Sequence, residues 1–118
     1  MSKKVLIVDD SMVSRMMIKE IIMSQHSDWE CIQAASAEKA IEACRTSQFD
    51  FITLDLSMPG RSGLDAAPEI IEVQERAKIA LLTANIQSAV KEKADRIGLT
   101  FLTKPINSDE ILDFVGME

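Results

Sequence analysis

No apolar run in the chain approaches the roughly 18 residues that a membrane-spanning helix needs. The first apolar stretch, Val5-Leu6-Ile7-Val8, follows a basic start but stops after four residues at Asp9-Asp10. That is too short for the apolar region of a secretory signal. Basic charge is in deficit: 13 Lys and Arg against 19 Asp and Glu leave a net charge of −6 with the one histidine neutral. Direct nucleic-acid binding needs a basic face, so the balance argues against it. Cysteine is scarce. Cys31 and Cys44 sit in apolar patterns with no metal-ligand spacing and read as buried free thiols in a reducing, cytoplasmic setting. His26, the only histidine, falls in a helix-to-strand turn and is expected to be neither ligand nor base. Repeats, low-complexity tracts and linkers are missing too. The 118 residues leave no room for a second domain, so a single domain over 1–118 is expected, with about two-thirds of its unfolded surface buried.

What is present is an alternation of short apolar runs with helical patterns. Val5–Val8 is a continuous β-branched run, as in a parallel strand covered on both faces. A helix over about Met12–Ser24 follows, with Met17, Ile18, Ile21 and Ile22 on its buried stripe and small Ser14 extending it. Strands are then predicted over Trp29–Ala35, Phe49–Leu54, Ile79–Leu82 and Thr100–Thr103. Helices are predicted over Ala37–Thr46, with Ser36 as N-cap and Ala40, Ile41 and Cys44 inward, and over Ser88–Ile97 and Ser108–Val115. Ser57–Gly63 reads as a loop, and Ala66–Gln74 as a helix that tolerates Pro68 only in its first turn. Five strands alternating with five helices make an α/β fold, (βα)5, with a parallel sheet and helices on both faces. The expected strand order is the flavodoxin-like 2-1-3-4-5, with the functional crevice beyond the carboxyl ends of the first and third strands.

The residues at those ends share a chemistry. The first strand ends in Asp9-Asp10, the third in Asp55, the fourth in Thr83 and the fifth in Lys104. Each has an ordinary explanation: a cap, a turn, a strand end, a surface lysine. The conjunction is what stands out, because every strand of the central four delivers a polar or charged group to one rim. Three crowded carboxylates must protonate, separate or bind a cation. Oxygen ligands without His or Cys suit Mg2+ rather than Zn2+. A carboxylate beside such an ion can attack phosphorus and become an aspartyl phosphate. Lys104, the Thr83 hydroxyl and backbone N–H groups after Asp55 would hold the phosphoryl oxygens.

These residues resemble the receiver domains of two-component response regulators, of the chemotaxis-regulator, CheY-like type. The resemblance covers essentially the whole chain. It rests on Val8-Asp9-Asp10, on Leu54-Asp55-Leu56-Ser57-Met58-Pro59-Gly60-Arg61-Ser62-Gly63, on Leu82-Thr83-Ala84 and on Phe101-Leu102-Thr103-Lys104-Pro105. It implies that Asp55 is the phosphoacceptor, and that Asp10, Asp55 and the Ser57 carbonyl bind Mg2+, with Asp9 acting largely through water. It implies that Thr83 and Lys104 grip the phosphoryl group, that Lys104-Pro105 is cis, and that Phe101 is the aromatic that moves inward as Thr83 moves towards phosphate. The movement would reshape the surface of the fourth helix, fifth strand and fifth helix. A sensor histidine kinase or phosphotransfer protein would supply the phosphoryl group, and an output protein would read the surface. Catalysis would be limited to the chain's own phosphorylation and dephosphorylation.

Some features depart from the family or fall outside its pattern. Ser57 and Asn85, which line the path of the hydrolytic water in the family, are small and uncharged, so no carboxylate assistance to hydrolysis is expected from them. Gly98-Leu99-Thr100-Phe101 looks one residue short of the family's spacing, and the last helix is short. Met12, Met16 and Met23, with Val13, lie off the buried stripe of the first helix. They form either a partner-docking or dimer face or, as we prefer, ordinary exposed apolar residues on a monomer. Rival readings are a haloacid-dehalogenase-type phosphatase, a flavin-binding module, a phosphorylation-independent pseudo-receiver, and a receiver excised from a longer regulator. The first needs a second acid at position 11, where Ser11 stands, and the second a Ser/Thr/Gly-rich phosphate loop after the first strand.

Overall fold

A computed structural model describes residues 2–116. The ends of the expected 1–118 domain, Met1, Met117 and Glu118, lie outside the described residues. Five strands and five helices alternate among the described residues: β1 (Lys4–Val8), α1 (Met12–Gln25), β2 (Glu30–Ala34), α2 (Ala37–Thr46), β3 (Phe51–Asp55), α3 (Gly63–Val73), β4 (Lys78–Thr83), α4 (Ser88–Arg96), β5 (Thr100–Thr103) and α5 (Ser108–Val115). The strands form one parallel sheet in the order β2-β1-β3-β4-β5. This is the (βα)5 architecture expected from the sequence.

Strand alternation divides the core in two. Val5, Ile7, Phe51, Ala80, Leu82 and Leu102 point to one face, where they pack with Ile18 and Ile22 of α1 and Ile111, Phe114 and Val115 of α5. Leu6, Val8, Ile52, Leu54, Ile79 and Leu81 point to the other, against the small and branched residues of α2 and α3 and Ala94 of α4. Side chains buried on both faces explain why the central strands read as unbroken apolar runs. Ser11, Ser36, Ser62 and Asn107 cap α1, α2, α3 and α5 through their side-chain oxygens.

Several expectations are corrected. Met17 is 45% exposed rather than buried. It borders a groove between α1 and the start of α5, lined also by Ile21, Ile106 and Leu112. Cys31 is half-buried, because β2 is an edge strand, whereas Cys44 is buried. Burial pushes the Cys44 thiol up to about 11. β3 starts at Phe51 rather than Phe49, and β2 is shorter at both ends than the sequence suggests.

The largest difference is at α3, which starts at Gly63 rather than Ala66 and so carries Pro68 in its second turn. The cause lies in the turn before it. Ser62 Oγ accepts from the Asp65 N–H, and the Gly63 N–H donates to the Leu56 carbonyl. A Cβ at Gly63 would sit 2.4 Å from the Asp55 carbonyl oxygen, so only glycine allows the helix to begin this close to the end of β3. Gly63→Ala is therefore expected to destabilise the fold by about 1–3 kcal/mol, the usual cost of forcing an extra carbon into a packed site. Urea unfolding of the variant against wild type measures it, and an unchanged midpoint contradicts it.

Candidate functional site

The rim at the carboxyl ends of β1, β3, β4 and β5 gathers the polar residues singled out in the sequence. Register places them there: Val8 pairs with Leu54, Asp55 with Leu82, and Thr83 with Thr103. Alternation then sorts them by face. Asp9, Asp55 and Lys104 follow the Val5/Ile7, Phe51/Thr53 and Leu102 parity and meet on the α1/α5 side. Thr83 follows Ile79 and Leu81 to the other side, where Phe101 also packs.

Lys104 Nζ lies 3.1 Å from Asp9 Oδ2 and 3.0 Å from Asp55 Oδ1. Both acids are buried, at 1% and 4% exposure, so the ammonium is their principal counter-charge. Asp9 Oδ1 also accepts from the Ser11 N–H at 2.9 Å. Asp10 is exposed, yet Asp9, Asp10 and Asp55 each offer a carboxylate oxygen within 4.8 Å of the others. Burial pushes the Asp55 carboxyl above its ordinary value of 3.8. The hydrogen bond from Lys104 opposes that shift, and the charges of Asp9 and Asp10 reinforce it. Burial alone would lower Lys104, but its bonds to Asp55 and Asp9 outweigh it and hold the ammonium above its ordinary value. The site thus carries excess negative charge that one lysine only partly neutralises.

The neighbouring loops are tied to the sheet. The Leu56 N–H donates to the Leu82 carbonyl, extending the β3–β4 ladder past Asp55. Met58 is buried, Ser57 is exposed, and Gly60 turns the chain at a φ of 85°. Thr83 is buried, and its Oγ1 accepts from the Asn85 N–H at 2.8 Å. Phe101 is half-buried, and Lys104-Pro105 is cis. Gly98, with a φ of 83°, follows the C-cap Ile97 of α4 and is separated from β5 by Leu99 alone. His26 sits away from this rim and stacks on Trp29 at 3.8 Å.

Sequence reasoning missed two contributors. Gly63 approaches the Asp55 carbonyl, a contact that no local pattern announces. Arg15 donates from Nη1 to the Asp9 carbonyl at 2.7 Å and from Nε to Gln33 Oε1 at 3.0 Å. Its place one helical turn after the capping Ser11 was the available signal.

Carboxylate oxygens without nitrogen or sulfur donors suit a hard divalent cation, and their shared excess charge calls for one. The same arrangement presents a buried carboxylate, an ammonium and a hydroxyl on one rim. The family model described as the response regulator receiver domain matches residues 5–116. The chain belongs to this family. A receiver of the same kind, the chemotaxis protein CheY of Thermotoga maritima, is 34% identical over 115 residues, covering 96% of this chain and 94% of its own. Among solved structures, the response regulator TrrA of Thermotoga maritima, in complex with Mg(2+)-BeF, has a TM-score of 0.82 at 32% identity, covering 97% and 96% of the two chains. The CheX-CheY-BeF3-Mg+2 complex from Borrelia burgdorferi gives a TM-score of 0.83 at 26% identity, covering 96% of this chain and 86% of the other. No helix among the described residues of this receiver is long and apolar enough to cross a membrane.

The raised Asp55 carboxyl has a consequence for stability. Between its ordinary value of 3.8 and its higher folded value, the folded state holds a proton that the unfolded chain has lost. Stability therefore falls as pH rises through that window and stays lower above it. Asp55→Asn removes this loss. In metal-free urea unfolding, the variant is expected to be more stable than wild type at neutral pH, with the difference gone below the window. A pH-independent difference contradicts the account.

Proposed function

We propose that this receiver takes a phosphoryl group onto Asp55 in a Mg2+-dependent reaction and signals through its α4–β5–α5 surface. The observation that carries the reading is the Lys104 ammonium, bonded to both Asp9 and Asp55 with Asp10 alongside. The donor is a phosphohistidine on a partner sensor histidine kinase or phosphotransfer protein, or a small molecule such as acetyl phosphate. An Asp55 carboxylate oxygen attacks phosphorus, the new O–P bond forms, and the bond to the donor's leaving nitrogen or oxygen breaks.

Each rim residue has a task in that transfer. Asp10, Asp55 and the Ser57 carbonyl would hold Mg2+, with Asp9 acting largely through water. When bound, the ion neutralises charge on the transferring phosphoryl oxygens. Lys104 is already at the nucleophile and passes from the carboxylates to the phosphoryl oxygens. The Thr83 hydroxyl, an acceptor from Asn85 N–H, keeps its own proton to donate. Reaching phosphate draws Thr83 towards the rim, and the half-buried Phe101 ring on the same face moves into the space. Phe101 has no hydroxyl, so its inward state depends on packing alone. The output protein binds the reshaped α4–β5–α5 face. The domain is not an enzyme acting on other substrates; it catalyses its own phosphorylation and hydrolysis in the cytoplasm, as a monomer without direct nucleic-acid contact. Exposed Ser57 and half-buried Asn85 lend no carboxylate to hydrolysis.

Intact mass after incubation with acetyl phosphate and Mg2+ is expected to show one added phosphoryl group, lost in Asp55→Asn and on removal of Mg2+. An unmodified wild type contradicts the proposal. Substitutions at Ser57 or Asn85 are expected to change the lifetime of the phosphorylated form, and an unaltered lifetime contradicts their role in hydrolysis.

A further inference from the structure

The three acids of the rim are not held alike. Asp9 has its carboxylate fixed by the Ser11 N–H and Lys104, and Asp55 has Lys104. Among the described residues, no hydrogen bond or ion pair holds the exposed Asp10 carboxylate. Its direction is set by its backbone, and that backbone lies just past the last rung of β1. The Asp9 N–H still pairs with the Ala34 carbonyl of β2. Among the described residues, the Asp9 carbonyl has no strand partner; it is taken by Arg15 Nη1 at 2.7 Å. Arg15 Nε is anchored in turn on Gln33 Oε1 of β2 at 3.0 Å. The guanidinium thus spans from α1 to the edge strand with a planar fork.

The Asp9 carbonyl and the Asp10 nitrogen and Cα share one rigid peptide plane. Holding the carbonyl holds the plane, and with it the direction in which Asp10 leaves the strand. We propose that Arg15 is a positioning residue: by clamping the Asp9 carbonyl against Gln33 it aims the Asp10 carboxylate at the cation position between Asp10 and Asp55. This rests on the reading of Asp10 as a cation ligand. Arg15 touches neither the phosphoacceptor nor the phosphoryl group, and acts only through the peptide that carries Asp10.

The test is calorimetric titration of the metal-free protein with MgCl2, alongside urea unfolding and, without metal, amide hydrogen exchange at Ser11, whose N–H closes the turn around Asp10 onto the Asp9 carboxylate. Arg15→Met is expected to weaken Mg2+ binding by about ten- to hundredfold, the usual effect of losing a residue that orients a metal ligand. Its Ser11 amide is expected to exchange faster, while the urea midpoint, which a merely structural role would shift, stays close to wild type. Gln33→Leu removes one anchor and is expected to move affinity and exchange the same way by less. It also carries the test if Arg15→Met does not fold. Arg15→Lys keeps the charge but not the fork, so it is expected to recover only part of the affinity. Full recovery in Arg15→Lys means that charge alone suffices and overturns positioning. Wild-type affinity and exchange in Arg15→Met, beside weakened binding in Asp10→Asn, overturn this inference and leave the reading of the site intact. An Asp10→Asn that binds Mg2+ as wild type does overturns that reading and the inference with it.

Discussion

Carboxylates crowded at one edge of a parallel sheet are the constraint on which the rest of this structure depends. Two of them, Asp9 and Asp55, are nearly inaccessible to water, so solvent does little to relieve their repulsion. Lys104 bridges them and holds its own charge in return. The compensation is incomplete, since Asp55 remains harder to ionise than an ordinary aspartate. A site in that condition favours whatever brings positive charge to it, and a divalent cation does so most effectively. On the proposed reading, excess negative charge beside Asp55 is the basis for recruiting the ion that phosphoryl transfer would need.

The fold delivers this arrangement through simple rules. Parallel strands all point the same way, so successive carboxyl ends share one rim, and the reversal of strand order between β1 and β3 opens a crevice there. Alternation then assigns Asp9, Asp55 and Lys104 to one face and Thr83 and Phe101 to the other. The separation matters for signalling. The charged trio sits over the α1/α5 core, whereas Thr83 and Phe101 sit over the core that includes Ala94 of α4. On the proposed reading, a pull on Thr83 would therefore be transmitted towards α4 and β5 rather than into the helices beneath the acids.

Much of this was legible in the sequence, for identifiable reasons. The central strands are buried on both faces, so Val5–Val8 and Ile79–Leu82 stand out as apolar runs. The rim residues are charged side chains ending those runs, so Asp9, Asp10, Asp55 and Lys104 could be placed without knowing the packing. The misses share a different origin. The start of α3 depends on how closely Gly63 can approach the Asp55 carbonyl, a tertiary distance invisible to local spacing. The exposure of Met17 depends on how closely the start of α5 packs on α1, and that of Cys31 on β2 ending the sheet. Arg15 escapes sequence patterns because one partner is a backbone carbonyl and the other, Gln33, is brought to it only by the pairing of β2 with β1.

The central claim is that the buried Asp55, rather than either acid of the Asp9-Asp10 pair, accepts the phosphoryl group. Borohydride reduction of the phosphorylated protein converts an acyl phosphate to an alcohol, and peptide sequencing by mass spectrometry then locates the modified residue. The account predicts conversion at position 55 alone. Conversion at Asp9 or Asp10, or a phosphorylated protein with Asp55 unmodified, would contradict it.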